Sequence, residues 1–139
     1  MPNLASLLVT ASAAIVLCLG LLHLLYTFRG SKLTPRDADA LQAMQRSTLE
    51  ITRQTTVWRA WMGFNASHSF GLILFGLVYG YLALAAPVLL FGSLFLRVVA
   101  LALLVGYATL SRRYFFSVPF RAVLLATALY LAGLAVAAF

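Results

Sequence analysis

The sequence predicts an all-α integral membrane protein, folded as a bundle of four transmembrane helices. Three observations predict it. Of 139 residues, 63% are hydrophobic and 9% are charged, whereas a soluble domain carries about 25% charged residues. Four apolar runs reach the roughly 20 residues that cross bilayer hydrocarbon. They are Leu4–Phe28, Val57–Ala86, Val88–Leu110 and Val118–Phe139. Finally, Pro2, Pro35, Pro87 and Pro119 fall at starts and turns, where a missing N–H does no harm. No soluble core of this size could hide so much apolar surface, so the chain reads as a single membrane domain.

The first span, 4–28, is too long for the apolar region of a secretory signal and lacks a basic segment before it, so it reads as a retained helix. No lipidation box or retrieval signal is present. Ser12, Gly20, His23, Tyr26 and Thr27 cluster on one face. Cys18 is the single cysteine of the chain; it cannot form an internal disulfide and reads as a small apolar filler.

Residues 29–56 form the one sizeable aqueous connector. Thr34-Pro-Arg-Asp37 places a hydroxyl at the N-cap, proline at N1 and a carboxylate at N3, and Ser47-Thr-Leu-Glu50 repeats the pattern with glutamate. The expectation is a short amphipathic helix from about Pro35 to Arg46, with Leu41 and Met44 on its apolar edge. A second helix is expected to start near Thr48 and run directly into the membrane. All three acidic residues, Asp37, Asp39 and Glu50, lie here, without metal-ligand spacing.

The second span, 57–86, is the richest. Trp58, Trp61, Asn65, His68, Ser69, Leu72, Gly76 and Tyr79 share roughly one face. Asn65 can reach His68 at i+3 or Ser69 at i+4. Gly76-Leu-Val-Tyr-Gly80 is a G-x-x-x-G that admits a neighbouring helix closely. Asn65-Ala-Ser67 matches a glycosylation sequon, but within a span the match is fortuitous.

On the third span, 88–110, Ser93, Arg97, Ala100, Tyr107, Ala108 and Ser111 lie on one side. An unbroken helix from Pro87 puts Arg97 about 15 Å along its axis, near mid-membrane. Its guanidinium stays charged, and no span contains Asp or Glu. Its partner must be a neutral protein group, water, a lipid phosphate or a bound ligand. In the fourth span, 118–139, Arg121, Ala128, Ala132 and Ala135 align, and Arg121 can snorkel to the surface. The sequence closes inside this run, which predicts no aqueous tail.

Charge sets the orientation. Arg29, Lys32, Arg36, Arg46 and Arg53 lie in the connector, and Arg112 and Arg113 in the turn after the third span. The Pro87 turn has no charged side chain. The positive-inside rule then places both basic segments in the cytoplasm and both termini outside, in the periplasm. Trp58 and Trp61 fit an interfacial belt. The net charge of +7 thus reports topology and contact with anionic headgroups. Nucleic acid is excluded as a partner, because no aqueous domain carries a basic stripe interleaved with aromatics.

Polar groups at membrane depth mark where chemistry would lie. The candidate ligand-binding residues are Asn65, His68, Ser69, Arg97, Trp61, His23 and Tyr107. The leading reading is a non-catalytic membrane component that binds a lipid-like or other small hydrophobic ligand, or a partner subunit or second copy, through this polar interior. An integral-membrane enzyme with His68 as acid–base is the alternative; no carboxylate at membrane depth is available to orient the imidazole. A haem b electron-transfer subunit, with His23 and His68 as axial ligands, is a second alternative. Counting residues from the membrane surface separates those two histidines by several ångströms along the axis, which counts against it. No metal motif is present.

Leu33-Thr-Pro-Arg-Asp37 and Trp58-Arg-Ala-Trp-Met-Gly-Phe-Asn-Ala-Ser-His-Ser69 resemble an uncharacterised family of small bacterial four-span membrane proteins. The resemblance covers the whole chain, and the second phrase is its most distinctive segment. It implies a bacterial inner-membrane setting and no particular activity.

Overall fold

The computed structural model describes residues 3–138; Pro2 and the predicted end of the last span at Phe139 lie outside them. The described elements, in chain order, are α1 (Leu4–Phe28), α2 (Ala38–Arg46), β1 (Thr48–Leu49), β2 (Thr52–Thr56), α3 (Val57–Ala85), α4 (Pro87–Gly92), α5 (Leu94–Tyr114) and α6 (Ser117–Ala137). The fold is all-α apart from one small hairpin. Four helices, α1, α3, α5 and α6, are long and apolar enough to cross a membrane. The chain divides into two compact units, Met1–Leu19 with Leu72–Phe139, and Gly20–Gly71; α1 and α3 each run through both.

In the first unit, the inward positions recur at helical spacing: Val9, Ala13 and Val16 on α1; Leu72, Phe75, Tyr79 and Ala83 on α3. Leu90, Ala100, Leu104, Ala126 and Tyr130 complete the core. The opposite faces are apolar too, with Leu74, Leu77, Tyr81, Phe95 and Leu125 exposed, as expected of helices that face lipid. Where one apolar surface meets another, specificity must come from close approach and polar contacts. Ser12 Oγ donates across to the Ala126 carbonyl at 2.7 Å. The Tyr79 and Tyr130 hydroxyls donate to the carbonyls of Leu96 at 2.9 Å and Arg97 at 3.2 Å.

Close approach centres on two glycines. A Cβ at Gly76 would stand 2.9 Å from both Leu17 Cα and the Ala13 carbonyl. At Gly133 it would meet Val9 Cγ2 at 2.8 Å and the Ala5 carbonyl at 3.1 Å. The second glycine of the G-x-x-x-G behaves differently: a Cβ at Gly80 would meet only Ala13 Cβ, at 3.7 Å, an ordinary contact.

The third predicted span is corrected. Its first residues form the separate short helix α4, and Ser93 is extended (φ −92°, ψ 110°) before the chain restarts as α5. Glycine followed by serine explains the break, because Ser93 is a good N-cap: its Oγ accepts from Leu96 N at 3.3 Å. Helix α5 then continues to Tyr114, and Arg112 and Arg113 occupy its last turn rather than a loop, where cations complement the helix dipole. Arg97 is therefore the fourth residue of α5, about 4.5 Å along its axis from Leu94, and not mid-span.

In the second unit, α1 ends as predicted at Phe28, followed by Gly30 with φ 79°, a left-handed stop that glycine adopts freely. Thr34 does not cap α2. Its hydroxyl closes a turn onto the Ser31 carbonyl at 2.7 Å. Asp37 is the cap, accepting from Asp39 N at 2.9 Å, so α2 starts at Ala38 rather than Pro35. The predicted helix from Thr48 is an antiparallel hairpin instead, pairing Thr48 with Thr56 and Leu49 with Thr52. The run Ile51-Thr-Arg-Gln-Thr-Thr56 is rich in β-branched residues, which favour strand over helix, and Glu50 falls in the turn.

The two glycines of the motif give opposite expectations. Gly76→Ala must push the α1 and α3 backbones apart, and overpacking of this kind costs about 1–3 kcal/mol. Gly80→Ala makes an ordinary contact with Ala13 and gains up to about 1 kcal/mol of helix propensity. Thermal melts in detergent should show a clear drop for the first and none for the second.

Candidate functional site

Asn65 organises the polar cluster of the second unit. It sits on α3, one turn after Trp61, and its Nδ2 donates to the Trp61 carbonyl at 2.8 Å. A carbonyl can only accept, so this bond settles which end of the amide faces it. Oδ1 is thereby turned to α1, where it lies 3.0 Å from His23 Nε2. Since Oδ1 can only accept, Nε2 carries a proton and donates it to Asn65. The His23 and His68 rings meet at 5.3 Å between centroids and 82° between planes. Asn65 and both histidines are half-buried.

This geometry adds to two expectations. The Asn65 side chain bonds a backbone carbonyl of its own helix and a histidine of another. Ser69 is fully buried, and its Oγ donates to the Asn65 carbonyl at 2.9 Å, a bond within its own helix. The predicted axial mismatch between His23 and His68 also disappears. Counting from Trp61 misplaced the level, because Trp61 Nε1 donates to the Leu33 carbonyl at 3.1 Å. Trp61 thus stands beside the connector, beyond the end of α1. His68 lies seven residues past Trp61, about 10 Å, and His23 five residues before Phe28, about 7.5 Å, which brings them to one level.

The connector is anchored at the same end. Lys32 Nζ sits 3.9 Å from the centre of the Tyr26 ring, a cation–π contact, and Thr27 Oγ1 donates to the His23 carbonyl at 2.8 Å. Neither contact stood out in the sequence. A lysine six residues past a tyrosine across a helix end has no fixed spacing that would announce the pair.

The remaining two predicted site residues belong to the first unit. Tyr107 on α5 packs against the apolar core. Arg97 offers its carbonyl to Tyr130, and its Nε is buried with no hydrogen-bond partner among the described residues. Tyr130 was missed as a polar contributor. The available signal was a single tyrosine inside an apolar run, since a buried hydroxyl needs a partner.

Chemically, the cluster combines an amide and two imidazoles and contains no carboxylate, lysine or arginine. Among the described residues no three His, Cys, Asp or Glu side chains converge as a metal site. An iron or other ion taken by His23 would have to use Nδ1 or displace Asn65 from Nε2. No family model, curated protein or solved structure matches the chain.

Asn65 should control the His23 tautomer. Long-range ¹⁵N–¹H spectra of protein labelled at histidine should show His23 protonated at Nε2 in the wild type. Asn65→Leu should mix the tautomers and lower stability by about 1 kcal/mol, as a part-buried hydrogen bond is lost. An unchanged His23 spectrum in the variant would refute the assignment.

Proposed function

We propose that the chain is a multi-pass membrane protein that binds, without chemistry, a lipid-like or other small hydrophobic molecule at the His23–Asn65–His68 cluster. The carrying observation is the cluster itself: three hydrogen-bonding side chains from two apolar helices meet at one level. Such groups are costly in an apolar setting and mark function there. An amide beside two imidazoles, with no carboxylate, lysine or arginine among them, fits an amphiphile that brings a carbonyl or hydroxyl. The flanking α1 and α3 surfaces, with Leu22, Leu25, Phe64 and Phe70 exposed, suit its hydrocarbon portion.

The basic connector supports a cytoplasmic position for residues 29–56, with both termini periplasmic, and the family resemblance supports a bacterial inner membrane. A second reading draws on the 5.3 Å approach of the two imidazoles: a haem held between them for electron transfer.

Native mass spectrometry of protein purified in mild detergent tests the binding reading. Wild type should carry a bound amphiphile, recovered in organic extracts, and His23→Phe and His68→Phe should lose it while staying folded. A clean apoprotein mass for wild type would sink the proposal. A Soret band in the purified protein would instead establish the haem reading.

The orientation has its own test. In a Cys18→Ala background, cysteine at Val88, which is 87% exposed, should react with an impermeant maleimide in intact spheroplasts. Cysteine at Ser31 should react only after lysis. The reverse pattern would invert the orientation.

A further inference from the structure

We infer that Arg97 anchors a phosphate group, supplied by a phospholipid headgroup seated where α4 breaks into α5. This site is independent of the His23–Asn65–His68 cluster. Four observations converge on it.

First, the guanidinium keeps its charge at any useful pH, yet its Nε is buried and meets no acceptor among the described residues. A buried cationic donor left unpaired is strongly unfavourable. Second, no carboxylate of this unit can serve. Residues 1–19 and 72–139 contain no Asp or Glu, and Asp37, Asp39 and Glu50 all lie in the other unit. The counter-charge has to come from outside the unit.

Third, Arg97 stands in the first turn of α5, at the positive end of the helix dipole. A cation there adds to the field instead of offsetting it, so the place attracts an anion twice over. The Tyr79 and Tyr130 hydroxyls brace this turn through the Leu96 and Arg97 carbonyls, which holds the guanidinium's base in place. Fourth, Arg97 is one turn on from Ser93, whose carbonyl accepts from Arg97 N at 3.2 Å, so the two share a face. Ser93 rims an open depression of about 660 Å³ otherwise lined by Ala85, Ala86, Pro87, Val88, Leu89 and Gly92. A planar guanidinium matches the oxygens of a phosphate diester two at a time. The apolar depression rimmed by Ser93, one helical turn before Arg97, accepts the glycerol and the first methylenes of the acyl chains.

The test uses full-length protein, delipidated in neutral detergent and titrated with dioleoyl phosphatidylglycerol under native mass spectrometry. Wild type should retain one lipid, and dioleoylglycerol, which lacks the phosphate, should not be retained. Arg97→Gln should weaken retention by about tenfold or more, the loss of one charge-assisted pair. Arg97→Lys, which keeps the charge but not the fork, should fall between. Arg113→Gln, at the far end of α5, should match wild type. Lipid-free Arg97→Gln should melt no lower than lipid-free wild type, because it removes a buried cationic donor that has no acceptor among the described residues. Equal retention by wild type and Arg97→Gln overturns the proposal. So does retention of inorganic phosphate without phosphatidylglycerol, which would assign the site to a free ion. Failure of Arg97→Gln to fold would also overturn it, since the guanidinium would then be satisfied within the protein.

Discussion

A helix that is apolar all round has no inner face until a missing side chain or a polar atom supplies one. In this chain both devices act through backbone carbonyls. At Gly76 and Gly133 the absent Cβ lets carbonyls of α1 come within about 3 Å of where it would stand. Elsewhere hydroxyls reach across: Ser12 to Ala126, Tyr79 to Leu96, Tyr130 to Arg97. Burial of apolar area cannot hold such helices in register in lipid, because lipid is as apolar as they are. Register is therefore set by a handful of positions, and the remaining apolar surface is left free to vary.

The same economy governs the polar cluster. Asn65 uses one end of its amide on its own helix and the other on α1. An aspartate there would face the Trp61 carbonyl with a second acceptor, and a leucine would leave both partners unmet. The two conspicuous polar features of the chain divide along charge. The histidine–asparagine cluster holds no carboxylate, lysine or arginine and is bonded between its own members. Arg97 is charged, and its Nε lacks a bond among the described residues. The occupants proposed for the two sites differ accordingly.

Most of the architecture could be read from composition and run length, because crossing hydrocarbon demands about 20 apolar residues whatever their order. Helix α1 has its predicted bounds, α3 matches its own to within one residue, and α6 starts one residue before its predicted start. The errors arose where local chemistry competes. At Thr34 and Asp37 two capping residues were available, and the turn onto Ser31 took the first out of play. At Thr48–Thr56 a capping pattern overlay a β-branched run, and the strand preference won. At Gly92–Ser93 an apolar run concealed a break, because run length is blind to a serine that caps. In the cluster, the residue types were legible in the sequence, but the pairing was not: it depends on the depth at which Trp61 meets Leu33, a contact between residues 28 apart. Arg97 stood out as a charge without a counter-charge, although its depth was misjudged.

The unequal lengths of the long helices have a further consequence. At 1.5 Å per residue, the 29 residues of α3 span about 43 Å, while the 21 of α5 and of α6 span about 31 Å, close to the thickness of bilayer hydrocarbon. Helix α3 exceeds that thickness by about two turns. The hydrogen bond from Trp61 to the Leu33 carbonyl ties its opening turns to the connector. Strand β2 passes into α3 without an intervening loop, Thr56 being followed directly by helical Val57. The hairpin is thus fastened directly to the first turn of α3, so its orientation follows that of the helix, with no linker to let it swing.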